Sequence, residues 1–211
     1  MNYSDFRQMV MNRPFFSAKD LAGVVPLDKT LKLQLSQWTK KGKIIRLKKG
    51  LYTLNEMDRQ ADLSSYMLAN ELYSPSYVSL EFALSHYQLI PEAVNMFTSV
   101  TTNKTNEFKN QYGVFTYRSI KKDLFFGFKQ YRSPDGHNFF LGTPEKCVLD
   151  FIYFNISVNV KDIKQELSEN YRFQNWDLLD PGVLKDFSSR MNEKKIINFL
   201  PALTELIREG R

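Results

Sequence analysis

The sequence predicts an α+β protein in two parts: a small helical unit that ends in a hairpin, then a mixed unit with a small, mainly antiparallel sheet flanked by helices. Three observations predict it. Apolar residues recur at helical spacing up to Lys41 and give way to two short strands before residue 55. Beyond Pro91 the pattern turns β-branched and aromatic, then becomes helical again after Thr143. Positive charge is segregated. Residues 1–54 hold 11 Lys or Arg against three Asp, a net +8, whereas the remainder holds 18 basic and 20 acidic residues, a net −2. The expected domains are residues 1–58 and 59–211.

In the first unit, Tyr3 to Met11 is expected to be a helix with Phe6, Met9 and Val10 inward, and Pro14 just past its end. Ser17 is the expected N-cap of a short second helix, Ala18 to Ala22, with Asp20 in its first turn. Gly23 to Pro26 reads as a turn. Asp28 is the expected N-cap of a third helix, about Lys29 to Lys41, and Gly42 its left-handed C′ residue. Leu31, Leu35 and Trp38 fall on one face of it. Ile44 to Leu47 and Leu51 to Leu54 read as strands joined by Lys48-Lys49-Gly50, with Gly50 supplying the positive φ.

In the second unit, Asn55 to Asp62 reads as a connector. Ala61 to Leu72 and Ser79 to Tyr87 read as helices separated by the Ser74-Pro75-Ser76 stop. Met96 to Thr102, Gly113 to Arg118, Leu124 to Phe128 and Asn138 to Leu141 read as strands, the last after a Ser133-Pro134-Asp135-Gly136 turn. Thr143 as N-cap, Pro144 at N1 and Glu145 in the first turn open a helix through Ile152. Val160 to Tyr171, Val183 to Arg190 and Glu193 to Arg208 complete the helices. Pro201 is expected to start or bend the second half of the last, which turns Ile196, Ile197, Leu200, Leu203, Leu206 and Ile207 inward.

Three helices and a two-stranded wing in about 54 residues describe a winged helix-turn-helix, whose last helix can enter a DNA major groove while the wing touches phosphates. The outward face of the third helix carries no acidic residue after Asp28. Lys29, Lys32, Lys40 and Lys41 are the phosphate candidates there, and Thr30, Ser36 and Gln37 the base-edge candidates. Leu33 lies on the same face, where it wastes apolar surface unless something such as a thymine methyl covers it. Arg46, Lys48 and Lys49 are the candidates in the wing. A second basic group, Lys104, Lys109, Arg118, Lys121, Lys122 and Lys129, reads first as a solvated sheet face, with contact to nucleic acid or a partner as the alternative.

Other chemistry is thinly represented. Cys147 is the only cysteine, so no intrachain disulfide and no cysteine-rich zinc site can form. It reads as a buried hydrophobe. His86 and His137 have no metal-ligand spacing. Glu145, Lys146 and Asp150 invite a nuclease reading, but a first-turn acid and an i, i+4 pair explain them structurally. No phosphate-binding glycine loop is present, and no cofactor is expected. No apolar run reaches the roughly 20 residues of a membrane span, and Met1 to Pro14 has no apolar signal core, so a cytoplasmic protein with no membrane partner is expected.

Three stretches in order resemble one family. Ile44 to Tyr52 resembles the wing of its DNA-binding domain. Pro75 to Leu84, followed by His86 to Ile90, resembles the signature opening its second domain. Gly142-Thr-Pro-Glu-Lys-Cys-Val-Leu-Asp150 resembles its A-x-P-E-K-A-L-L-D segment. The family is that of AbiEi-type antitoxins, regulators of bacterial abortive-infection toxin–antitoxin systems, and the similarity covers roughly Met9 to Phe154. It implies a repressor that binds inverted repeats of double-stranded DNA in its own promoter, as a homodimer or as two monomers meeting on DNA. It also implies a C-terminal domain needed for antitoxicity and a nucleotidyltransferase-like toxin as partner. With Glu145, Lys146 and Asp150 read as structural, no enzymatic activity is expected. The competing readings are an orphan regulator or partner-binding protein without a toxin, and a nucleic-acid-processing enzyme.

Overall fold

The computed structural model describes residues 1–17, 19–21, 29–132 and 136–210. The fold is α+β and is built on two hydrophobic clusters. The first cluster gathers α1 (Tyr3–Val10), β1 (Phe16–Ser17), α2 (Lys29–Lys40), β2 (Ile44–Lys48) and β3 (Leu51–Leu54). The strands form an antiparallel sheet in the order β1-β3-β2. Asn2 caps α1 by accepting from the Asp5 amide at 2.9 Å. Phe6 and Val10 are buried, but Met9 is 41 % exposed, one position off the inward face expected for it.

The expected second helix is reduced, among the described residues, to a 3-10 turn, Lys19–Leu21. Its start is nonetheless a capping box. The Ser17 amide donates to Asp20 Oδ2 at 2.7 Å, and the Asp20 amide donates to Ser17 Oγ at 3.3 Å. The Ala18 and Ala22 ends of that helix, the Gly23 to Pro26 turn, the Asp28 cap and the Ser133 to Asp135 part of the later turn lie outside the described residues.

The second cluster surrounds a six-stranded mixed sheet in the order β6-β7-β5-β4-β9-β8. Its strands are β4 (Ser76–Val78), β5 (Phe97–Thr101), β6 (Asn106–Asn110), β7 (Gly113–Ser119), β8 (Phe128–Arg132) and β9 (Asn138–Gly142). Three pairs are antiparallel, β4 with β5, β6 with β7 and β8 with β9, while β5 runs parallel to β7 and β4 to β9. The helices are α3 (Ser65–Leu72), α4 (Leu80–His86), α5 (Pro144–Asn155), α6 (Ile163–Gln165), α7 (Pro181–Met191) and α8 (Lys194–Glu209).

Several elements depart from expectation. Leu124 to Phe128 is no strand: a 3-10 turn spans Lys122–Leu124, and β8 begins at Phe128. The Val160 to Tyr171 helix contracts to α6 followed by a π-helical turn, Glu166–Asn170. Helix α3 starts at Ser65 rather than Ala61. Pro201 lies inside a continuous α8. On that helix Ile197 is 45 % exposed and Phe199 takes a buried place instead. The second basic group is dispersed, because β6 and β8 are opposite edges of the sheet. Arg118 is turned onto Asn155 Oδ1 at 2.7 Å and the Phe154 ring, and Lys121 pairs with Glu193.

The hairpin β2–β3 is buried on both faces. Ile44, Tyr52 and Leu54 pack on the first cluster, while Ile45, Leu47 and Leu51 pack on the second. Opposite faces of a strand carry alternate residues, so one hairpin serves two cores.

Candidate nucleic-acid interface

Helix α2 is oriented by its buried stripe. Leu31, Leu35 and Trp38 are buried, and the Trp38 ring lies 4.6 Å from that of Phe6 and 5.4 Å from that of Tyr3. The helix ends in a Schellman arrangement. The Lys43 amide donates to the Trp38 carbonyl at 2.9 Å and the Gly42 amide to the Thr39 carbonyl at 3.0 Å, with Gly42 at φ +68°. This stop sends the chain directly into β2.

With that stripe inward, Lys29, Thr30, Lys32, Leu33, Ser36, Gln37 and Lys40 are all exposed, as is Lys41 in the following turn. Positions 29, 33, 36, 37 and 40 are the i, i+4, i+7, i+8, i+11 positions of one helical face. Leu33 is 60 % exposed, the largest apolar exposure on the helix. In the hairpin Arg46 and Lys49 are exposed, and Gly50 turns the chain at φ +84°. Among the described residues 29–55 there is no carboxylate to offset these cations.

Lys48 differs from its neighbours. Its Nζ donates to the carbonyls of Glu71 at 3.1 Å and Leu72 at 2.9 Å, the end of α3. An ammonium there satisfies orphan carbonyls and meets the negative end of the helix dipole. Desolvation holds its pKa below the ordinary lysine value, opposed in part by the charge of Glu71. The structure therefore places Lys48 in a structural tie, apart from the other ten candidate residues. Lys43, not among the candidates, lies over the Tyr3 ring at 4.1 Å.

The base of the surface is braced from below. Arg7 pairs with Asp58 at 3.0 Å, and the Tyr3 hydroxyl donates to Asp58 Oδ2 at 2.7 Å. Arg59, which carries no sequence signal of its own, donates to Thr53 Oγ1, to the Ala61 carbonyl and to the Tyr112 hydroxyl. It joins hairpin, connector and the β6–β7 turn.

The other group weighed from the sequence is buried. Lys146 and Asp150 are fully enclosed and ion-paired, and Asp150 Oδ2 accepts from the Tyr77 hydroxyl at 2.8 Å and the Ser79 hydroxyl at 2.9 Å. Glu145 accepts from the Asp180 amide at 3.1 Å, at the start of α7. Both carboxylate oxygens of Asp150 have internal partners, which is the arrangement of a structural network. Cys147 is fully buried beside it, and burial pushes its thiol well above the usual range. Among the described residues no group of three or more His, Cys, Asp or Glu is placed to hold a metal ion. No helix among them is long and apolar enough to cross a membrane. No protein-family model and no curated protein matches the chain.

Proposed function

We propose that this chain is a sequence-specific DNA-binding transcriptional repressor whose first 58 residues form a winged helix-turn-helix, with α2 as the recognition helix and β2–β3 as the wing. The observation that carries the reading is the acid-free face of α2, on which Leu33 is exposed among Lys29, Lys32 and Lys40, with Arg46 and Lys49 exposed on the hairpin that follows. Lysines of this kind neutralise phosphates and set affinity, while Thr30, Ser36, Gln37 and Leu33 supply groups suited to base edges and thymine methyls. Resemblance to AbiEi-type antitoxins supplies the biological setting: repression of its own promoter through inverted repeats, and neutralisation of a nucleotidyltransferase-like toxin. An inverted repeat requires two copies of the protein.

The test is fluorescence anisotropy with duplex DNA from upstream of the gene. The Lys32→Glu, Lys40→Glu double variant is expected to bind at least about a hundredfold more weakly, since each site loses a phosphate contact and gains a repulsion. Unchanged affinity would remove α2 from the interface. The antitoxin role is tested by co-expression with the neighbouring gene product. Growth inhibition relieved by this chain supports it, and inhibition that this chain leaves in place refutes it.

A further inference from the structure

A cavity of about 380 Å³ opens beside α3, with no described residue of α2 in its lining. That volume is in the range of small-ligand sites. Its walls are unusual in composition. Phe125, Phe128 and Phe140 supply three phenyl rings, with Phe128 set at 84° to Phe140 and 58° to Phe125. Phe140 remains 41 % exposed, although it lies in a sheet strand. Met67 adds a polarizable thioether to the apolar wall. Among the described residues, Glu71 is the one charged residue in the lining, and no lysine, arginine or histidine contributes. Lys48, the cation whose field Glu71 feels, has its ammonium committed to the Glu71 and Leu72 carbonyls.

We propose that this cavity binds a small organic cation, an alkylammonium group. Aromatic rings attract alkylammonium groups through the negative quadrupoles of their faces, and three rings line this cavity. A carboxylate at the rim adds charge complementarity and repels anions. Desolvation raises the Glu71 carboxyl, a penalty on its charged form that an adjacent cation relieves.

Three probes of one shape and different charge test this by titration calorimetry on the full chain: choline, 3,3-dimethyl-1-butanol and 3,3-dimethylbutanoate. Choline is expected to bind saturably and at least about tenfold more tightly than the alcohol, with no binding of the carboxylate. Phe140→Ala, at an exposed position, is expected to weaken choline about tenfold. Glu71→Gln is expected to weaken choline several-fold and leave the alcohol unaffected. Absence of saturable choline binding by the wild-type chain up to about 50 mM overturns the proposal. So does alcohol binding as tight as choline, or choline binding unchanged in either variant. None of these outcomes depends on DNA.

Discussion

Lys48 and Lys49 are adjacent, identical in type and indistinguishable in the sequence, yet the structure assigns them opposite roles. Six cations of the proposed interface are exposed: Lys29, Lys32, Lys40, Lys41, Arg46 and Lys49. If each meets one phosphate, the logarithm of affinity falls with the logarithm of salt at a slope of about −5, from roughly −0.9 per contact. Raising salt from about 50 to 200 mM then costs wild type roughly two-thousand-fold in affinity. Lys49→Gln removes one contact, so its slope is shallower by about 0.9 and its loss over the same range is about five-hundred-fold. Lys48→Gln keeps the wild-type slope, because its ammonium is on the α3 carbonyls. It loses stability instead, by about 1 kcal/mol, the scale of a cation at a helix C-terminus. Anisotropy titrations at four salt concentrations give the slopes, and urea melts give the stabilities. Equal reduction of the slope by both substitutions, or no reduction by Lys49→Gln, would refute the assignment.

Other expectations follow from single sites. Asp150→Ala strands a fully buried Lys146 and two hydroxyls, and should cost about 3–5 kcal/mol in urea denaturation followed by circular dichroism, whereas Lys146→Met with Asp150→Leu should recover most of it; a cost below about 1 kcal/mol for the single variant contradicts the network. Leu33→Ala, at a 60 % exposed position, should change stability by less than about 0.5 kcal/mol while weakening operator DNA about tenfold and leaving non-specific DNA unaffected. Parallel losses on both DNAs would show that Leu33 reads no base. Burial holds the His86 imidazole below its ordinary value, and the Tyr66 hydroxyl lies 2.9 Å from its Nδ1. The unfolded chain therefore takes up the proton first as pH falls through about 6.5, and stability present above that pH is lost below it. Urea midpoints at pH 7.5 and 5.5 should drop further for wild type than for His86→Gln, and an equal drop in both would show that His86 does not contribute.

What was legible in the sequence was local. Helices with a clear apolar stripe and chemically marked ends, α2 with Gly42 and α5 with Thr143-Pro144, lie where periodicity and capping put them. Strands were lost when their pattern was atypical. β4 is only three residues long and all three are buried, so it shows no alternation and reads as a helix stop. β6, Asn-Glu-Phe-Lys-Asn, is a polar edge strand with one half-buried apolar residue. Leu124 to Phe128 erred the other way. Its aromatics have strand propensity, but Phe126 is spent on packing against Phe187 and under Arg190. At the candidate interface the exposed face of α2 followed from its buried stripe. The fate of Lys48 did not, because its partners lie more than 20 residues away and a surface lysine and a helix-capping lysine are written with the same letter. The i, i+4 spacing of Lys146 and Asp150 was visible too, but their complete burial depends on hydroxyls from Tyr77 and Ser79, about 70 residues distant.

The double burial of the hairpin bears on how DNA would meet this surface. A wing attached only to its own helices can swing. Here, movement away from the second cluster exposes Leu47 and Leu51, at about 1.5–3 kcal/mol for each side chain. It also breaks the bond from Asn110 Nδ2 to the Leu47 carbonyl and both bonds of Lys48. Movement away from the first cluster exposes Ile44 and Leu54 at similar cost. The tip, Lys49 and Gly50, is thus held relative to α2 and to α3 at once. A duplex that accepts this surface meets helix and wing in one fixed relation, so adaptation falls to the DNA rather than to the wing. If two copies read an inverted repeat as a homodimer, half-sites spaced by about one helical turn, 34–36 Å, or a multiple of it, are expected, with half-turn insertions rejected; two monomers meeting on DNA would tolerate such insertions.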